Sequence, residues 1–208
     1  MMPQPSFWRV DRPLVLASGS TARRQMLESA GIPVVIRPAS IDERALADPL
    51  MEARVPPKDI ARRLALAKGL EASARATGDV ILAADQTLEL DGRLGMKPGS
   101  VVEARHQLQA MRGKTHALHA AACLIRAGTV LWEGADTAEL TMRAFSDAFL
   151  EAYLNRMGDQ VCNTVGAYEY EALGVHLFEK VEGAHATILG LPLAALLDAM
   201  RRLGLLLG

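Results

Sequence analysis

The side chains able to do chemistry fall into one early loop and a set of acids and lysines further along. In Leu14-Val15-Leu16-Ala17-Ser18-Gly19-Ser20-Thr21-Ala22-Arg23-Arg24, a short apolar run ends in small hydroxyl residues, and two arginines follow. That order predicts a buried strand, a tight loop and a helix start. A helix start presents unpaired backbone N–H groups at the positive end of its dipole. With Ser18, Ser20, Arg23 and Arg24 beside it, such a loop suits a phosphate chain. Taken alone, it also fits an ordinary strand–helix turn with a Ser or Thr cap and solvated arginines.

Four further groups bear on that choice. Asp42-Glu43 is an acidic pair after a predicted strand, and Asp85 follows the most apolar run, Val80-Ile81-Leu82-Ala83-Ala84. A carboxylate there is expected to be partly buried and to need a cation, a metal or hydrogen-bond donors. A structural aspartate capping a turn is the alternative. Lys68 is expected near the C-terminal end of a long helix, where the dipole favours a cation in any case. Lys97 precedes Pro98 after a turn bracketed by Gly92 and Gly95. Serines, arginines, lysines and a helix start suit a polyphosphate. Two separated acids suit a divalent cation, since Mg²⁺ takes one or two carboxylates plus phosphate oxygens. A carboxylate can also orient or deprotonate a water. The Gly-x-x-x-x-Gly-Lys-Ser/Thr phosphate loop is absent. His116 and His119 lie three apart on a predicted strand, so they face opposite sides and do not share a metal. His106, His176 and His185 stand alone.

The elements that must position these residues alternate early and pair as hairpins later. Residues 13–17 read as a strand, 22–30 as a helix ended by Gly31-Ile32-Pro33, and 34–37 as a second strand. Residues 49–57 read as irregular. Pro57 opens a helix of about 18 residues. A long strand over 79–90 reaches a hairpin at Asp91-Gly92. A helix is expected over 101–111, strands over 115–125 and 130–142 around Ala127-Gly128, and a helix over 147–157 capped by Ser146. Residues 160–190 carry no clear pattern, and a last helix follows Pro192. The expected fold is α/β, with helices flanking a mixed sheet.

Composition bounds the rest. With 208 residues, half of them hydrophobic, the chain fits one domain (residues 1–208) with a sizeable core. Its 23 basic and 24 acidic residues give a net charge of −1, so no global excess points to nucleic acid or to a membrane surface. No run reaches the roughly 18 apolar residues of a membrane span, and no signal peptide is recognised. Cys123 and Cys162 lack metal-ligand spacing and are expected reduced, as in the cytoplasm. The apolar 191–207 segment, interrupted by Asp198, Arg201 and Arg202, reads as an amphipathic helix on the core or on a partner subunit.

The chain resembles the Maf family of nucleoside triphosphate pyrophosphatases, once described as septum formation inhibitors. Leu16-Ala17-Ser18-Gly19-Ser20 through Arg23, Leu27 and Gly31 is similar to the family's opening motif. Asp42-Glu43, Leu64-Ala65 with Lys68, Ala84-Asp85, Gly95 with Lys97-Pro98, and Gly113-Lys114-Thr115-His116 follow in family order. Gly166-Ala167-Tyr168, Glu182-Gly183 and Gly190-Leu191-Pro192-Leu193 complete the match. The resemblance implies an elongated mixed-sheet fold with a cleft between two lobes. It implies hydrolysis of a nucleoside triphosphate to the monophosphate and pyrophosphate with Mg²⁺ or Mn²⁺. By the same resemblance Asp85 is the proton acceptor, Ser18, Ser20, Arg23, Lys68 and Lys97 hold the triphosphate, and Glu43 helps bind the metal. A homodimer is a further expectation.

Departures from the family concern the base. Ala22 stands where family members carry Arg or Trp. Gln86 and Glu171 match the branch associated with 7-methyl-GTP rather than the one that looks specific for dTTP and UTP. A carboxylate at Glu171 can accept both N1–H and the 2-amino group of guanine, and it favours a cationic methylated base. Thymine and uracil offer one N–H between carbonyls. Ala22 removes an aromatic face worth about 1–2 kcal/mol to a cationic base. The expected enzyme is guanine-leaning or broad. An inosine or xanthosine triphosphate pyrophosphatase is an alternative, as is a non-catalytic nucleotide-binding regulator of cell division.

Overall fold

The computed structural model describes residues 7–76 and 78–208. Its sheet begins with β1 (Leu14–Leu16), paired in parallel with β2 (Val34–Ile36) and, on its other side, with β3 (Val80–Leu90). Helix α1 (Thr21–Ser29) connects β1 to β2. Helices α2 (Glu43–Glu52) and α3 (Pro57–Arg75) carry the chain from β2 to β3. The remaining strands run antiparallel: β4 (Arg93–Gly95), β5 (Thr115–Arg126), β6 (Thr129–Met142) and β7 (Phe178–Glu182). The order is β2-β1-β3-β5-β6-β7, with β4 on β3. Asp91 and Gly92 turn the β3–β4 hairpin with φ of 51° and 75°, the two left-handed residues that a tight hairpin turn requires.

This register leaves part of one edge of β3 unpaired. Strand β3 pairs with β5 from Val80 to Glu89. Its other edge is shared: β1 pairs with Ile81 and Leu82, and β4 with Leu88 to Leu90. Between them, from Ala83 to Thr87, that edge carries no strand, and the sheet opens there beside the C-terminal end of β1. Parallel strands diverging at their C-terminal ends form the usual crevice of open α/β sheets.

Two main cores lie along the long strands. One gathers Leu14, Leu16, Leu27, Leu82, Leu124, Leu196 and Met200 around β1, α1 and α7 (Leu193–Arg202). The other packs Leu108, Met111, Leu140, Leu154 and Tyr168 from α4 (Val101–Met111), β6, α5 (Asp147–Met157) and the segment after it. Helix α7 therefore buries its apolar face in its own chain. Among the described residues no helix is long and apolar enough to cross a membrane.

The sequence expectations hold for α3, α4, α5 and the long strands, and fail over residues 49–57. Residues 49–57 are not irregular throughout, because α2 runs to Glu52 with Pro49 inside it. Asp42 caps α2 by accepting from the Ala45 N–H at 3.0 Å. Ala47, Leu50 and Met51 pack with Ile60 and Leu64 of α3. That packing offsets the intrahelical hydrogen bond proline cannot make. The unassigned 160–190 region holds three short 3-10 turns, β7 and α6 (His185–Ile188).

Candidate functional site

The gap along β3 is the floor of a cleft of about 970 Å³. Ser18, Ser20, Ala22, Arg23, Glu43, Lys68, Asp85, Gln86, Lys97 and Glu171 line it. Arg24, which faces Glu28 on α1, and Asp42, which caps α2, do not. The serine loop forms one wall. Ser20 caps α1, its hydroxyl accepting from the Arg23 N–H at 3.3 Å, and Ser18 Oγ accepts from the Ser20 N–H at 3.3 Å. Both hydroxyl protons stay available to a ligand, as do the first N–H groups of α1, which have no intrahelical partner.

Arg23 is buried and largely committed to the protein. Its Nε donates to Gly190 O at 2.8 Å, and Nη1 donates to Ser18 Oγ and to Ala84 O, both at 3.0 Å. It thus satisfies a carbonyl on the open edge of β3 that no strand reaches. Burial lowers its pKa, and Asp85 and Glu43 pull the other way. Gly190 sits at φ +91° against this guanidinium, and a Cβ there would lie 3.0 Å from Nη2.

Asp85 lies in the middle of β3, and Lys68 lies in the middle of α3 rather than near its C-terminal end. Lys68 Nζ donates to Asp85 Oδ1 at 2.5 Å and meets Glu43 Oε1 at 2.9 Å. One buried ammonium therefore joins a carboxylate from the sheet to one from the first turn of α2. Burial raises the Asp85 pKa above the ordinary carboxylate range. Lys68 and Arg23 oppose that rise, and Glu43 adds to it. Asp85 Oδ2 makes no hydrogen bond among the described residues. A carboxylate of this kind, with its proton affinity raised by burial and one oxygen without a protein partner, can take a proton from water.

Gln86 differs from a simple base reader. Its Nε2 donates to Thr187 O at 3.0 Å and to Ile188 O at 2.9 Å. Thr187 in turn donates through Oγ1 to Asp136 Oδ2 at 2.7 Å. With both amide protons spent on the 187–188 backbone, Gln86 can offer a ligand only its Oε1 acceptor. Glu171 and Lys97 are exposed on the cleft wall and make no bond among the described residues. Ala22 lines the wall at the first turn of α1.

The turn that carries Glu171 toward the cleft is held hard. Gly166 and Ala167 both have positive φ, 85° and 60°. Tyr153 donates to Ala167 O at 3.1 Å, and Thr164 Oγ1 donates to Tyr168 O at 2.8 Å. The Tyr168 hydroxyl and His116 Nε2 share a hydrogen bond of 2.6 Å. Left-handed geometry at an alanine persists only where surrounding bonds over-determine it. As expected from their spacing, His116 and His119 have separate partners, since His119 bonds Thr137 and Glu89. Sequence reasoning missed Arg44 and Glu169, which also line the cleft. Arg44 was hidden because α2 was not foreseen, and Glu169 because its segment carries no periodicity.

The cleft is lined by four cations, Arg23, Arg44, Lys68 and Lys97, and four carboxylates, Glu43, Asp85, Glu169 and Glu171. A polyanion entering so balanced a site needs a cation of its own. Among the described residues no group of three or more His, Cys, Asp or Glu side chains could hold a metal. Glu43 and Asp85, brought together on Lys68, instead fit a Mg²⁺-type ion that gains its remaining oxygens from phosphates and water.

Residues 13–203 match the family described as Maf-like protein. A nucleoside triphosphate pyrophosphatase of Nitrobacter hamburgensis is 48% identical, covering 96% of this chain and 98% of its own. A 7-methyl-GTP pyrophosphatase of Rhizobium etli is 44% identical, covering 92% of this chain and 96% of its own. Among solved structures, a HAM1 protein from Coxiella burnetii aligns at a TM-score of 0.42 and 15% identity, over 64% of this chain and 74% of its own. The family match spans β1 to α7 and takes in every residue of the cleft: the chain belongs to the Maf-like protein family.

Proposed function

We propose that the cleft hydrolyses a nucleoside triphosphate to the monophosphate and pyrophosphate. The observation that carries this reading is Asp85, a buried carboxylate with a raised pKa, fixed by Lys68 beside a wall built for phosphates. Water is oriented by Asp85 and gives it a proton as the water oxygen bonds to the α-phosphorus. The bond from that phosphorus to the bridging oxygen breaks, and its electron pair leaves with pyrophosphate. Ser18, Ser20 and the first N–H groups of α1 donate to phosphate oxygens, and Lys97 neutralises charge growing on the leaving group. Lys68 keeps Asp85 in place. Glu43 and Asp85 would hold Mg²⁺ or Mn²⁺, which when bound offsets phosphate charge that the balanced cleft cannot. The free thiols of Cys123 and Cys162 fit a reducing compartment, and we place the reaction in the cytoplasm.

For the base, Glu171 and the Oε1 of Gln86 are both acceptors. They support a purine with N1–H and a 2-amino group, guanine or 7-methylguanine, over thymine or uracil. The similarity to relatives named for 7-methyl-GTP points the same way. The test is a panel of canonical, methylated and deaminated triphosphates, assayed for pyrophosphate release with Mg²⁺ and with Mn²⁺. Guanine-type substrates are expected to lead. A tenfold higher kcat/KM for dTTP than for both GTP and 7-methyl-GTP overturns the base assignment. Asp85→Asn is expected to lower kcat by about 10²–10⁴ while nucleotide affinity survives. Unchanged turnover would remove Asp85 as the base, and the absence of pyrophosphate release from any member of the panel would leave a nucleotide binder.

A further inference from the structure

The cleft's four cations are not equally available. Arg23 spends three donors on protein oxygens. Lys68 is bound between Asp85 and Glu43. Lys97 and Arg44 are exposed and make no bond to any described residue. Lys97 already has a phosphate role in the reading above, and Arg44 has none.

The position of Arg44 is unusual for a surface arginine. It is the second residue of α2, and a cation in the first turn is opposed by the helix dipole. Its neighbours Asp42 and Glu43 are both acids, yet neither holds it: Asp42 caps Ala45, and Glu43 turns to Lys68. Local energetics therefore give no reason for an arginine at this place. Tertiary packing shows what the place does. Arg44 and Ala47 lie three apart, on one helical face, and both line the cleft. Ala47 packs in one apolar group with Leu64 of α3 and Leu94 of β4. Lys97 follows Leu94 by three residues. The same small core thus fixes Arg44 and Lys97 on the cleft rim, each with a free cationic head.

We infer that Arg44 is a further substrate-binding residue, gripping the phosphate chain from α2 as Lys97 does from the end of β4. The inference rests on the triphosphate reading above. A planar guanidinium can bond two phosphate oxygens at once, which suits the pyrophosphate portion of the substrate and the pyrophosphate product. The exposure of Arg44 lets it release that product, whereas the buried Arg23 is held to the protein.

The experiment compares the full-length wild type, Arg44→Ala, Arg44→Lys and Arg62→Ala. Arg62, paired with Asp59 on the exposed face of α3, controls for loss of one positive charge. Calorimetry with inorganic pyrophosphate and Mg²⁺ reads the contact without turnover. Arg44→Ala is expected to weaken pyrophosphate binding about tenfold and to raise KM for GTP by a similar factor. Arg44→Lys should recover part of the loss, and Arg62→Ala should match wild type. Equal pyrophosphate affinity in wild type and Arg44→Ala overturns the inference. So does a changed base preference with unchanged pyrophosphate affinity, which would place Arg44 on the base. If the wild type hydrolyses no nucleotide but still binds pyrophosphate through Arg44, the proposed reaction fails while the Arg44 contact stands.

Discussion

Arg23 and Arg44 line the same cleft and carry the same guanidinium, yet the fold treats them oppositely. Arg23 is buried and bonded to Ser18, Ala84 and Gly190, three parts of the chain far apart in sequence. Arg44 is exposed and bonded to nothing described. The first joins the serine loop, the open edge of β3 and the turn before α7, so it builds the site before any ligand arrives. The second has charge to spend. The cations of this balanced cleft are therefore not equivalent: some are committed to the structure, and others are left free for a ligand. Loss of stability should follow the first kind, and loss of affinity the second.

The largest expected effect follows from that division. Arg23→Ala removes a buried cation, leaves Ala84 O and Gly190 O without their donor, and takes one of two donors from Ser18 Oγ. The expected cost is about 3–5 kcal/mol of unfolding free energy. Arg44→Ala should stay within about 0.5 kcal/mol of wild type. Chemical denaturation of the two variants side by side measures both. Similar losses would erase the distinction between structural and available cations.

A smaller effect concerns the turn that presents Glu169 and Glu171. His116, bonded to Tyr168, is pushed by burial to a pKa of about 4 from an ordinary 6.5. The unfolded chain therefore binds a proton at His116 that the folded chain refuses. Its stabilising contribution is complete above the unfolded value and is lost as pH falls from about 6.5 to about 4, about 3 kcal/mol in all. Unfolding free energies of wild type and His116→Phe, compared between pH 7 and pH 4.5, should diverge, the wild type falling more steeply. Parallel curves would show that this histidine does not hold the turn through its neutral form.

What was legible in the sequence divides along a similar line. The serine-loop wall of the cleft could be read because its parts are local: Ser18, Ser20 and Arg23 sit within one strand–loop–helix transition. Asp85 could be read because a carboxylate breaks an apolar run. Helix α2 could not, because Pro49 argues against a helix, and the contacts that outweigh it come from Ile60 and Leu64 on the next helix. Arg44 was lost with it. The 160–190 region was opaque for a related reason. Its geometry is set by positive φ at Gly166 and Ala167 and by bonds from Tyr153, Thr164 and His116, none of which leaves a period in the sequence. Gln86 was recognised as a residue of the site, but its commitment to the 187–188 backbone lies a hundred residues away.

The contrast between committed and available groups recurs at Gln86 and Glu171, the residues proposed to meet the base, where it can be tested most finely. Gln86 is fixed: its two amide protons hold Thr187 O and Ile188 O, so its acceptor face is set in advance. Glu171 is exposed and unbonded, free to meet the base. Glu171→Gln keeps size and shape while replacing half of the acceptor capacity with donors. Guanine, with N1–H and a 2-amino group to place, then faces an amide that can no longer accept both. Its kcat/KM should fall about tenfold, equivalent to about 1.4 kcal/mol, and 7-methylguanine should lose more because its positive charge also loses a partner. Thymidine and uridine triphosphates, whose carbonyls flank one N–H, should gain or hold. The ratio of kcat/KM for 7-methyl-GTP to that for dTTP is thus the quantity to follow. If that ratio stays constant in Glu171→Gln, this carboxylate does not touch the base, and the fixed acceptor of Gln86 is left to discriminate alone.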